Sequence, residues 1–102
     1  MKIIEKVISM VEDELDGAEE YALCALKVKS EYPKLAARFN ELASIEMQHS
    51  KILHKEVERL IDEYRQKNGE PPESMLAVYN YEHEKAIKKA AEIKAYIDEY
   101  NA

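Results

Sequence analysis

The chain has 102 residues, of which 46% are hydrophobic and 35% charged, and its formal net charge is −6. This length suits one domain over residues 1–102, and the acidic balance disfavours a nucleic-acid partner, because duplex binding needs clustered Lys and Arg. No apolar run is long enough to span a membrane, and the single Cys24 excludes an internal disulfide framework. Acidic residues interrupt the N-terminal MKIIEKVISMVEDE too early for a secretory signal. We therefore expect a soluble, cytoplasmic protein.

Two breaks divide the sequence into three helical segments. The first is Ser30-Glu31-Tyr32-Pro33, where proline suits the opening of a helix and disfavours helix in the residue before it. The second is Asn68-Gly69-Glu70-Pro71-Pro72. With only two Gly and three Pro in the chain, the composition predicts an all-α fold with long helices over about 2–29, 33–67 and 73–100. Short turns make sequential helices antiparallel neighbours.

Each segment carries an apolar stripe at steps of three and four residues, and three of the stripe positions are polar and bear metal-ligand side chains. In the second segment the stripe runs through Leu35, Phe39, Leu42, Glu46, His49, Leu53 and Leu60. In the first segment Glu14 takes a similar place. Glu14 lies 17 residues before residue 31 and Glu46 lies 15 residues after it, so antiparallel packing brings them to nearly the same height.

This arrangement favours a divalent metal. A lone buried carboxylate is costly to keep ionised, whereas two carboxylates and a neutral imidazole can share a cation. Glu46 and His49 are three residues apart and therefore lie on one helix face. Oxygen donors with one imidazole suit iron or manganese better than a metal that prefers thiolates. A Glu-x-x-His motif alone is weakly specific, but its place in the stripe and the matching Glu14 strengthen the prediction.

The chain resembles the ferritin-like (rubrerythrin and ferritin) superfamily over roughly residues 7–61. The segments that carry the resemblance are Glu14-Leu-Asp-Gly-Ala-Glu-Glu-Tyr21, Leu35-Ala-Ala-Arg-Phe39-Asn-Glu-Leu-Ala43 and Glu46-Met-Gln-His49. The resemblance implies that Glu14, Glu46 and His49 are iron ligands and that Tyr21 lies next to the metals without binding them.

A full domain of this superfamily repeats the pattern on two further helices, whereas this chain has one Glu-x-x-His motif and one more long helix. It therefore supplies half of a site, which two copies related by a two-fold axis would complete as a four-helix bundle. Encapsulated ferritins resemble this layout in length and in their three helices, and they build their centre at such a dimer interface. We recognise no shell-docking tail at Tyr100-Asn101-Ala102, so the sequence does not support an encapsulating protein shell as a partner. The chain lacks the cysteines of the iron–thiolate domain of rubrerythrins, so any electrons must come from elsewhere.

The function predicted from this pattern is that of a di-iron carboxylate protein which oxidises Fe²⁺ with O₂ or peroxide, with the two irons about 3.5–4 Å apart. Iron storage, peroxide detoxification and substrate oxidation all stay open. The alternatives are a non-catalytic helical assembly module, in which the polar residues fix helix register, and a plain Zn²⁺ or Mn²⁺ site without redox turnover.

Four further polar residues complete the set of candidates. Glu82 lies on the apolar side of the third segment, next to His83. Either could add a ligand, but we expect both at an edge that faces solvent or a neighbouring subunit. We expect His54 and Glu56 on the solvated flanks of the second segment.

Overall fold

The computed structural model describes residues 2–102 and contains three long α-helices in this order: α1 (Lys2–Val28), α2 (Pro33–Asn68) and α3 (Glu73–Asn101). No strand occurs within these residues, and none of their helices is apolar over a stretch long enough to cross a bilayer. The all-α, three-helix prediction is confirmed. Pro33 occupies the first turn of α2. Gly69 ends it with a backbone φ of +79° and an N–H that donates to the Arg65 carbonyl oxygen at 3.0 Å.

Helices α1 and α2 form an antiparallel hairpin whose contact seam consists mostly of small residues. The fully buried seam residues include Ala18 and Ala22 of α1 and Ala36 and Ala43 of α2, and Ser50 is nearly buried. Small side chains let two helix backbones approach closely along their ridges. Larger buried side chains close the end of the seam far from the turn, where Val57 and Ile61 of α2 pack around Ile4.

The stripe predicted for α2 differs from the buried face that the structure shows. The residues buried in α2 before Ile61 recur every seven positions at 36, 43, 50 and 57. The predicted stripe lies beside this line, so that Leu35 and Leu42 remain exposed. Leucines are therefore on the rim of the seam and alanines are inside it, because the helices come too close for the larger residue.

Helix α3 lies on its own chain's hairpin and contacts α1 more extensively than α2. Its one fully buried residue, Ile93, joins the central core of Val11 and Leu15. Lys85 pairs with Glu12 at 3.1 Å, and Lys89 pairs with Asp16. Such exposed pairs each contribute about 0–1 kcal/mol, so α3 is held mainly by its apolar contacts.

Candidate metal centre

The three predicted ligands come together near the middle of the hairpin. Glu14 of α1 and Glu46 and His49 of α2 place one ligand atom each within 4.8 Å of the others. The His49 Nδ1 atom lies 3.4 Å from Glu14 Oε2 and 3.9 Å from Glu46 Oε1. The hairpin register produces this geometry, since the short turn sets Glu14 opposite Glu46 and one helical turn separates Glu46 from His49.

The group lies at the open edge of the seam and not in a dry interior. The side chains of Glu14 and Glu46 are 27% and 25% exposed, and that of His49 is 49% exposed. A single chain therefore buries the three predicted ligands only partly, and the seam does not exclude water from them. The physical reason is the position of α2's buried face, which runs through Ala43 and Ser50 and leaves Glu46 and His49 to one side of it.

The polar atoms of the group fit a cation. Glu14 Oε2 is buried from solvent and has no hydrogen-bond donor, although buried polar atoms are nearly always paired. The imidazole and the two carboxylates are nitrogen and oxygen donors of the kind that iron, manganese and zinc accept. A cation between them would contact the Glu14 oxygen when both carboxyls are ionised, a state in which no protein group donates a hydrogen bond to it.

The two carboxyls are close enough to compete for ionisation. A hydrogen bond with the Glu14 side chain raises the pKa of Glu46, and partial burial and the negative charge of Glu14 raise it further, while His49 acts in the opposite direction. The pair of acids thus disfavours a second negative charge on Glu46, as expected for two carboxylates at one site. A bound divalent cation would stabilise both charged carboxylates.

This pKa shift predicts how Glu46→Gln changes the stability of the metal-free protein. Because the folded pKa is raised, the stability from the pair is fully present below the unfolded value of 4.5 and is lost as pH rises through the folded pKa. Glutamine keeps the hydrogen bond to Glu14 without the second charge. We expect about 1 kcal/mol of extra stability at neutral pH, or roughly 4–8 °C in Tm.

The measurement is thermal unfolding of metal-free protein, treated with a chelator, between about pH 5 and pH 8. The expected gain in stability of Glu46→Gln grows as pH rises. Glu56→Gln is the control, since Glu56 lies on α2 and pairs with Arg59 at 2.6 Å instead of with another acid. A gain that does not vary with pH would contradict the unfavourable interaction between the Glu14 and Glu46 carboxylates.

Tyr21 lies two turns after Glu14 on the same side of α1, where its ring stacks on Phe39 with the centroids 6.1 Å apart. It is half-buried and packs against the central core. The structure gives Tyr21 a packing role, and its predicted place next to bound metals stays a prediction.

Glu82 and His83 do not lie at a solvent-facing edge, so that part of the expectation was wrong, and the alternative of an edge that faces a neighbouring subunit stays a prediction. Both are half-buried on the inner side of α3, and Glu82 Oε2 and His83 Nδ1 have no hydrogen-bond partner. His83 stacks on His54 of α2 with 4.6 Å between the ring centroids, so the expected solvation of His54 was wrong too. Together with Glu12 and Tyr79 these residues line a pocket of about 20 Å³, which has room for about one water molecule. The spacing of Glu82 from Tyr79 and Ala86 placed it on the apolar side of α3, and this spacing was the signal for its inward orientation.

Glu56 is half-buried, and its side chain is 46% exposed beside Arg59. The expected flank position therefore describes Glu56 better than His54. Neither residue belongs to the ligand group around Glu14.

Large apolar side chains surround the ligand group on the outer side of the hairpin. Leu35, Leu42 and His49 recur at seven-residue intervals, which returns them to one side of α2 with a drift of about 20° per step. Ile3 and Met10 lie on the same side of α1 as Glu14, since they precede it by eleven and four residues, which is about three helical turns and one. All four of these apolar residues are exposed. We call this surface the open face; it contains the three predicted metal ligands and a row of uncovered hydrophobic residues.

Comparisons of this chain with models of protein families, with curated proteins and with solved structures find no match. The resemblance to the ferritin-like superfamily stays a prediction.

Proposed function

We propose that the chain is one half of a di-iron carboxylate protein that oxidises Fe²⁺. In this proposal two copies pair through their open faces about a two-fold axis. The observation that carries it is the grouping of Glu14, Glu46 and His49 within 4.8 Å on a side of the hairpin where leucine, isoleucine and methionine side chains are uncovered. Contiguous exposed apolar residues around a polar centre are typical of an interaction surface.

A two-fold axis through this surface would use the same residues from both copies. The dimer would then contribute four carboxylates and two imidazoles, which is the donor set of the di-iron bundle proteins. It would also cover Leu35 and Leu42 and remove His49 from bulk water.

The residues of the chain have separate parts in this function. Glu14 and Glu46 would supply the oxygen ligands, and the negative charge of both balances much of the charge of the bound cations. His49 would supply nitrogen and must be unprotonated to do so. Two Fe²⁺ ions that each give one electron reduce one O₂ to peroxide, which takes up two protons. Glu14 and Glu46 would both bind the metal as carboxylates, so the raised pKa of Glu46 opposes metal binding at low pH.

The direct test is anaerobic titration with Fe²⁺ of protein from which a chelator has removed all metal, followed by admission of O₂. We expect about one Fe²⁺ per chain, followed by a rise in near-ultraviolet absorbance as ferric iron forms. Uptake that leaves the iron unreactive to oxygen would indicate a plain metal site. No uptake, together with a Tm that does not respond to metal, would overturn the proposal in favour of an assembly module.

A further inference from the structure

Gly17 is a glycine in the interior of a long helix, and its presence there needs an explanation. It lies one turn after Glu14 in the middle of the 27-residue helix α1, and glycine is among the least favourable residues in a helix interior. Its backbone φ is negative, since Gly69 is the one residue of 2–102 with positive φ. The local backbone therefore accepts any residue other than proline at position 17.

The neighbours of Gly17 supply the explanation. A Cβ atom at this position would lie 3.3 Å from Glu46 Oε2, 3.8 Å from Glu46 Cδ and 4.0 Å from Glu46 Cγ. The three nearest atoms belong to one side chain, and none belongs to the backbone of α2. Close approach of the helices is therefore not the reason for glycine, and the seam itself accepts the Cβ atoms of Ala18 and Ala22 at full burial.

We propose that Gly17 is a positioning residue for the metal site, because the methyl group that it lacks leaves the space in which the Glu46 carboxylate lies over α1. From this space the carboxylate reaches both Glu14 and His49. This inference rests on the proposed function, since that function makes Glu46 a metal ligand. A methyl group at position 17 would push the carboxylate aside by a few tenths of an ångström, whereas metal–ligand distances are held within about 0.2 Å.

The proposal predicts opposite effects on fold and site. Gly17→Ala should bind Fe²⁺ about tenfold more weakly, the loss typical of residues that orient a metal ligand. The Tm of the metal-free variant should not fall, because alanine is the better helix former. Cys24→Ala is the matched control: a neutral change seven residues later on the same side of α1 that should leave Fe²⁺ affinity unchanged.

A double-mutant cycle on metal-free protein tests the contact without any metal. When Glu46 is alanine, Gly17→Ala should raise the Tm by about 4 °C or more; when Glu46 is present, the crowded carboxylate should reduce that gain. Equal gains in the two backgrounds would overturn the proposed contact.

The two readouts separate the failure of this inference from the failure of the proposed function. If the wild-type chain binds Fe²⁺ and Gly17→Ala binds it equally tightly, Gly17 has no positioning role and the iron site stands. If the wild-type chain binds no Fe²⁺, the proposed function fails, and the positioning of a metal ligand by Gly17 fails with it. The cycle then still reports whether Gly17 makes room for Glu46.

Discussion

A chain in which Glu46 and His49 are both alanine should retain its helices and lose Fe²⁺ binding by more than about 100-fold. Changes to residues that merely orient ligands already cost 10–100-fold in affinity, and this variant removes two of the three ligands that each chain offers. The fold should survive, because Glu46 and His49 lie at the edge of the seam and the variant also relieves the repulsion between Glu14 and Glu46. Circular dichroism and anaerobic Fe²⁺ titration provide the two measurements.

The control for that variant is Glu56→Ala, which removes a half-buried acid from α2 outside the ligand group. It should bind Fe²⁺ as the unchanged protein does. A Glu46→Ala, His49→Ala double variant that still took up one iron per chain would remove these residues from the site.

Leu42→Glu should convert the proposed dimer into single chains. Leu42 is exposed on the open face one turn before Glu46, and a two-fold interface would bury the new charge twice. Burial of an unpaired charge at an apolar contact costs several kcal/mol, and about 3 kcal/mol already weakens association more than 100-fold. We expect a light-scattering mass near the 11.8 kDa of one chain, against twice that mass for the unchanged protein.

Leu23→Glu is the matched control for this change. Leu23 is a leucine of similar exposure, 44% against 36% for Leu42, and its helical position turns it away from the open face. It should leave mass and iron uptake unchanged. A dimer mass for Leu42→Glu, or a single-chain mass for the metal-loaded unchanged protein, would contradict the pairing.

The sequence predicted the helices well because their ends carry strong local signals. Pro33 and the Asn68-to-Pro72 segment set the boundaries to within one residue of the observed ends near each break. The proximity of Glu14 and Glu46 followed from counting outward from a short turn, and the structure brings both within reach of His49.

The lateral placement of side chains was less predictable. A stripe of leucines in α2 indicates an apolar surface, but a single chain does not show whether that surface packs internally or against a second molecule. Here the alanines fill the seam and the leucines stay outside it. For α3, the spacing placed Glu82 on the apolar side that contains the buried Ile93, but a polar residue there was assigned to an edge of the helix. Glu82 and His83 instead lie inside. A glycine between Glu14 and Tyr21 was visible in the sequence, but its meaning depends on where the Glu46 side chain lies.

The half-exposed imidazole of His49 has a thermodynamic consequence for the proposed pair. Since each chain brings an incomplete set of donors to the surface, iron would bind the paired state far better than the separate chains. A ligand at 100 times its dissociation constant stabilises the state that binds it by about 2.7 kcal/mol, a shift of roughly 100-fold in the pairing equilibrium. Dilution would then release iron and iron starvation would release subunits, so that the fraction of paired chains would report how much iron is available.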